Sequence, residues 1–170
     1  KHYVVVRPEN IKANYVEGRQ SIVPELLKEL DAAGYNILFL PRYESDRDYA
    51  QGIKNIYIPK EAVNGLDACY YADAILTGAG TMAREAACLG VPSVSFFAGV
   101  HLLAVDQSMV DAGKMFYSRD VQQIMQFLNN SRHSFFTERG GGIAGLERCK
   151  QVQQEILDVL DKKIREYLGE

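Results

Sequence analysis

Short β-branched runs alternate with stretches of helical periodicity along most of this chain, and no other feature constrains the fold as much. Residues 2–6 (HYVVV) are an unbroken run, too short for a helix and without in-out alternation, which is the pattern of a strand covered on both faces. A polar loop covers 7–20. Ser21 then stands where a helix N-cap would, and Ile22, Val23, Leu26, Leu27, Leu30 and Ala33 recur at helical spacing up to Gly34, a position for a C-terminal glycine cap. Residues 36–40 (NILFL) read as a second strand, stopped by Pro41. The same rhythm places strands at 55–58, 74–76, 92–97 and 115–117, and helices at 66–71, 81–89, 102–112 and 120–128. Strands separated by helices require crossover connections. The expected fold is therefore α/β: a Rossmann-like three-layer sandwich with a mostly parallel sheet of about six strands.

Composition narrows the function. A chain of 170 residues that is 47% apolar and 24% charged can bury a real core and is not a disordered segment. Its 19 Lys+Arg against 22 Asp+Glu give a net charge of -3, without the basic excess that nucleic acid or an anionic membrane surface would attract. No apolar run is long enough for a membrane span, and the opening residues show no signal-peptide pattern. Cys69, Cys88 and Cys149 are odd in number and far apart, which fits neither a disulfide framework nor a zinc site, so a cytoplasmic location is expected. Gly140, Gly141 and Gly142 read as a linker or hinge between a domain at 1–139 and a long amphipathic helix at 143–168. The helix's apolar positions (Leu146, Cys149, Val152, Ile156, Val159, Leu160, Ile164, Tyr167) pack either on the domain itself or on another domain. The chain opens on Lys1 rather than Met, with strand pattern starting at once, which raises the expectation of a piece cut from a longer protein.

One stretch carries ligand chemistry. The strand at 74–76 runs into Thr77-Gly78-Ala79-Gly80-Thr81, where helical periodicity begins. Glycines let a backbone turn sharply and approach a ligand closely. The unpaired amides and dipole of a helix start favour an anion such as a diphosphate. Thr81 is placed to cap the helix or offer its hydroxyl to phosphate. Glu85 lies one turn on, on roughly the same face; set to one side of the phosphates, it would accept hydrogen bonds from both hydroxyls of a ribose. The competing reading is structural: Gly78 and Gly80 only make a tight turn, and Glu85 pairs with Arg84 or a lysine. The spacing departs from the dinucleotide fingerprint, because Ala83 stands at the third glycine position and this strand is not the first; the Lys of a P-loop is missing as well. A plain NAD site and an ATPase are both disfavoured. His101 is the one candidate for a general acid or base, against the reading of a solvated loop histidine. His2 and His133 have no evident partners, and no cluster has metal-ligand spacing, so neither metal nor cofactor is expected.

Residues 72–77 (ADAILT), 78–87 (GAGTMAREAA) and 89–92 (LGVP) resemble the donor-binding half of glycosyltransferases of the GT-B architecture, and are similar also to the UDP-GlcNAc 2-epimerases. Residues 4–9 (VVVRPE) and 38–42 (LFLPR) extend the likeness to an uncharacterised family numbered 354 among the domains of unknown function, found in archaea and bacteria. The resemblance runs from about residue 4 to 118. It implies that Thr77, Gly78, Ala79, Gly80 and Thr81 hold the diphosphate of a nucleotide sugar, expected to be UDP-linked, and that Glu85 binds its ribose. It further implies that Arg7 neutralises phosphate and that Arg42 reaches base or phosphate, a surface salt bridge being the alternative for each. Asp106-Gln107 matches a pair that contacts donor-sugar hydroxyls in many GT-B enzymes; helix-surface polarity is the alternative. The implied function is a nucleotide-diphosphate-sugar-binding domain of a glycosyltransferase or sugar-nucleotide epimerase. Alone it would be inactive, because a missing N-terminal domain would bring acceptor site and catalytic base. A reading of another class keeps the fold as a non-catalytic ligand-binding or scaffold module.

Overall fold

The computed structural model describes residues 2–13, 16, 18–137 and 140–169, with 132–137 and 140–146 as backbone alone. Six strands, β1 (Val4–Arg7), β2 (Ile37–Phe39), β3 (Ile56–Tyr57), β4 (Ala74–Thr77), β5 (Ser93–Ser95) and β6 (Phe116–Tyr117), form one sheet in the order β3-β2-β1-β4-β5-β6. Every pairing is parallel. The connecting helices are α1 (Val23–Ala32), α2 (Gly65–Tyr70), α3 (Gly80–Cys88), α4 (Ala104–Asp111) and α5 (Val121–Thr137), and α6 (Gly140–Leu168) follows. This is the expected Rossmann-like α/β sandwich. Strand order reverses between β1 and β4, where connections leave to opposite sides and open a crevice at the carboxyl ends of the strands. Arg7 ends β1 directly opposite Thr77, the last residue of β4.

Both faces of the sheet are covered, which explains the unbroken apolar strands. Val4, Val6, Ile37, Phe39, Ala74, Leu76 and Val94 face Val23, Leu26, Leu27 and Leu30 of α1 and Val121, Ile124, Met125 and Leu128 of α5. On the other face Val5 and Ile75 meet Cys69 of α2 and Met82 and Ala86 of α3. The small residues of α3 let it lie close to the sheet, and Ser93 Oγ donates to Ala83 O at 2.8 Å between the two layers.

Helix α1 ends as expected. Gly34 adopts φ 77°, its N–H donates to Asp31 O, and the N–H of Tyr35 donates to Leu30 O, closing a Schellman motif. Its start differs from expectation. Ile22, not Ser21, holds the cap position; Ser21 Oγ accepts from Val23 N–H at 3.2 Å, and Glu9 Oε1 accepts from Ile22 N–H at 3.2 Å. A residue thirteen positions upstream thus does part of the capping. A 3-10 helix at Glu44–Ala50, absent from the sequence reading, follows β2. Buried Asp46 draws in the chain there by accepting the Arg42 and Tyr43 N–H groups, both at 2.9 Å.

Helix α6 takes in Gly140, Gly141 and Gly142 as its first turn, where a linker was expected. Backbone continuity prevails there over the weak helix propensity of glycine, about 1 kcal/mol per residue. The helix touches α3 near Cys149, whose thiol lies 3.9 Å from Cys88 O. Beyond that point Val152, Ile156, Val159, Leu160, Ile164 and Tyr167 are exposed. No helix among the described residues is long and apolar enough to cross a membrane.

Candidate functional site

The crevice is built from the ends of β1, β2 and β4 and the start of α3. On the β4 side, Thr77 is fully buried and its Oγ1 accepts the Ala79 N–H at 2.9 Å, so its hydroxyl braces the turn. Ala79 is the cap residue of α3 and has no side-chain acceptor to offer. The start of the helix is therefore left without a cap from its own side chain, as an anion site requires. Thr81 is not the cap: it sits inside the first turn, exposed, with its Oγ1 accepting from Arg84 Nη2 at 3.4 Å.

The two glycines have different neighbours. A Cβ on Gly78 would fall 2.5 Å from Glu9 Cα and 2.8 Å from Glu9 Cβ. Gly78 thus permits the β1–α1 loop to lie against the β4 turn. A Cβ on Gly80 would fall 2.9 Å from Arg84 Nη1 and 3.3 Å from Asp106 Oδ2. Neither glycine has positive φ; Gly78 is required by space, whereas the nearest obstacle at Gly80 is the movable tip of a side chain.

Glu9 is buried within a hydrogen-bond network that joins three loops. Its carboxylate accepts from Ser21 Oγ at 2.6 Å, from Ile22 N–H and from Arg119 Nη1 at 3.1 Å. Arg119 also donates to Phe96 O and Gln20 O, both at 2.8 Å. This carboxylate occupies the start of α1, the other helix N-terminus that opens at the switch point, and leaves α3 as the free one. Sequence reasoning missed Glu9 and Arg119. They are 110 positions apart, and neither carries a local signal.

The predicted arginines do come together. Burial lowers the Arg7 guanidinium from its ordinary pKa, the neighbouring Arg42 cation lowers it further, and the Glu85 carboxylate opposes both. Arg42 Nε is buried and has no hydrogen-bond partner. Glu85 also contributes, after burial itself, to pushing the Cys69 thiol up to about 11. Glu85, Thr81 and Arg84 line a pocket of about 740 Å³ between α2 and α3, together with Asn64, Leu66 and Tyr70.

The Asp106-Gln107 pair splits. Asp106 is 1% exposed and accepts from Arg84 Nη1 at 2.7 Å, so surface polarity does not describe it. Gln107 is exposed and donates to Asp111 Oδ1 at 2.8 Å. Arg84 pairs with Asp106, not with Glu85 as the structural reading supposed. His101 is exposed in the loop before α4, and His2 meets Asp73 at 2.9 Å near the amino ends of the strands, away from the crevice. The side chain of His133 lies outside the described residues.

The family described as a protein of unknown function, DUF354, matches residues 1–161. The chain belongs to that family. An uncharacterised protein of Methanocaldococcus jannaschii, MJ0665, is 30% identical over 129 residues, covering 75% of this chain and 37% of its own length. This DUF354 chain therefore spans well under half of that relative. Among solved structures it is similar to UDP-GlcNAc 2-epimerase from Methanocaldococcus jannaschii in complex with UDP-GlcNAc and UDP (TM-score 0.61, 16% identity, 91% of this chain and 46% of the other). It is similar as well to the calicheamicin glycosyltransferase CalG4 (TM-score 0.59, 16% identity, 99% and 44%). A third likeness is to the C-terminal CMP-Kdo binding domain of WaaA from Acinetobacter baumannii (TM-score 0.58, 11% identity, 86% and 89%). At these identities the likeness is one of fold alone.

Proposed function

We propose that this chain binds a nucleoside-diphosphate sugar, UDP-linked, and forms the donor half of a two-domain glycosyltransferase or sugar-nucleotide epimerase. The observation that carries the reading is the start of α3, without a side-chain cap, at the carboxyl end of β4, with Arg7 directly opposite on β1 and a buried, unpartnered Arg42 Nε after β2. The Arg42 charge adds to burial in disfavouring the Arg7 cation, and the charge of an entering diphosphate would offset both. Glu85 stands beside them and would take the ribose hydroxyls. In the transfer or elimination step the growing charge on the leaving diphosphate would be stabilised by the α3 amides and Arg7. The rest of the active site would come from a further domain, onto which the exposed apolar stripe of α6 would pack; the relatives' greater length supports this.

The test is a titration of the 15N-labelled chain with UDP, UDP-sugars, uridine and pyrophosphate. Shifts are expected around Gly80 and Glu85. Glu85→Gln is expected to weaken uridine and spare pyrophosphate, and equal loss of the two would remove Glu85 from the ribose role. No shift near Gly80 and Glu85 with any of these ligands would end the proposal.

A further inference from the structure

The space beside Gly80 is filled by the chain's own ion pair. Arg84 Nη1 donates to Asp106 Oδ1 at 2.7 Å, and Arg84 Nη2 points to Thr81 Oγ1 at 3.4 Å. The two partners are buried very differently: Asp106 is 1% exposed, whereas the Arg84 side chain is 26% exposed on the wall of the 740 Å³ pocket, beside Thr81 and Glu85. Asp106 Oδ2 is buried without a hydrogen-bond partner. Arg–carboxylate pairs are frequently bidentate, with both oxygens on the guanidinium fork. Here one oxygen is engaged and the other waits beside Gly80. A guanidinium has five N–H donors, and the bonds of Arg84 to Asp106 and Thr81 use two, the second of them long.

We propose that Arg84 grips the diphosphate at the start of α3, and that Asp106 is the positioning residue that aims it. The inference rests on the functional reading above and adds a residue to its site. Arg84 lies one turn on from Gly80, and its Nη1 reaches back to within 2.9 Å of a Cβ on Gly80, so a phosphate on the first amides comes within reach of its unused N–H groups. The tether to Asp106 holds the long side chain in place before the ligand arrives, which lowers the entropy lost on binding. The absence of a side chain at residue 80 then has its reason: any Cβ there meets Arg84 Nη1 first.

Calorimetric titrations of the whole chain with inorganic pyrophosphate, UDP and uridine test this. Arg84→Gln is expected to weaken pyrophosphate and UDP by about tenfold or more, the worth of a charged hydrogen bond, and uridine by less than about twofold. Asp106→Asn is expected to weaken the two phosphorylated ligands selectively as well, through loss of the tether. Arg84→Lys, which keeps charge but not the fork, is expected to fall between wild type and Arg84→Gln. It also covers the case in which Arg84→Gln fails to fold. Pyrophosphate affinity unchanged in a folded Arg84→Gln, or in Arg84→Lys should Arg84→Gln not fold, would overturn the inference alone. Equal loss of all three ligands would mark the pair as a structural brace and overturn it too. Wild-type chain that binds neither pyrophosphate nor UDP would overturn the functional reading, and the inference with it.

Discussion

Gly78 and Gly80 sit two residues apart in one turn, yet alanine at the two positions should do opposite things. At Gly78 the new Cβ would lie 2.5 Å from Glu9 Cα, against an ordinary carbon–carbon contact of about 3.5–4.0 Å, so roughly 1 Å must be found. It cannot come from a side-chain rotation, because the obstacle is backbone. The Gly78 N–H also donates to Arg7 O at 3.0 Å, so pushing the strands apart strains the β1–β4 ladder. Moving Glu9 instead disturbs its contacts with Ser21, Ile22 and Arg119. Overpacking costs about 1–3 kcal/mol, and weakening one charge-assisted hydrogen bond adds about 1.5–3 kcal/mol. A loss near 3–5 kcal/mol follows, which for a domain of this size lowers Tm by about 10 °C or more. At Gly80 the nearest atom is the tip of Arg84 at 2.9 Å, which can swing away, and alanine improves helix propensity. Gly80→Ala should therefore stay within about 1 kcal/mol of wild type, while its pyrophosphate affinity falls. Urea denaturation with circular dichroism measures both. A Gly78→Ala chain within about 0.5 kcal/mol of wild type would refute the close-approach argument. So would rescue of Gly78→Ala by Glu9→Ala, since the Cα clash survives truncation of the side chain.

Two further perturbations probe the scaffold. Arg119→Ala leaves the buried Glu9 carboxylate without its cation and should cost about 3–5 kcal/mol in urea, more than Arg165→Ala on exposed α6, whose pair with Asp161 at 2.8 Å is worth under about 1 kcal/mol. The Cys69 thiol, raised from 9.0 to about 11, keeps its proton in the folded state at pH values where the unfolded chain loses it. Its contribution to stability is thus complete below about pH 9 and lost as pH rises towards 11, and a Cys69→Ala chain should lack this alkaline fall. Iodoacetamide at pH 8.5 followed by mass spectrometry should label exposed Cys88 well before Cys69.

What was legible beforehand was local. Periodicity placed all six strands and the helices from α1 to α5 because each has a short-range signature: the Val4–Val6 run, the Leu26, Leu27 and Leu30 stripe, the glycine at 34. The Glu44–Ala50 helix was missed because Asp46 creates it by gathering backbone amides, a side-chain event with no periodic trace. The α1 cap was misassigned for a similar reason: Ser21 has the right chemistry, but Glu9 takes part from across a loop. For the site, the turn at 77–81 was readable as a strand-to-helix glycine motif. The partners that shape it were not, since Glu9 reaches Gly78, and Asp106 reaches Arg84, only after the sheet has brought distant segments together.

Those long-range contacts decide which groups remain for a ligand. Carboxylates that could repel a phosphate at the crevice are mostly engaged: Glu9 by Ser21, Ile22 and Arg119, Asp106 by Arg84, and Asp46 by two backbone amides. The Thr77 hydroxyl accepts the Ala79 amide in the same way. Among the described residues, the groups left for a ligand are guanidinium N–H atoms of Arg7, Arg42 and Arg84 and the first amides of α3, with Glu85 and the unpartnered Asp106 Oδ2 as the acid oxygens beside them. The charged groups at the crevice balance, Arg7, Arg42, Arg84 and Arg119 against Glu9, Asp46, Asp106 and Glu85, so a preference for an anion rests on which donors remain unpaired and not on net charge. On the function proposed above, such an arrangement would take phosphate at the arginines and the α3 amides and hydroxyls at Glu85. It favours a ligand that is anionic at one end and rich in hydroxyls at the next, and a nucleoside diphosphate has that order of charges.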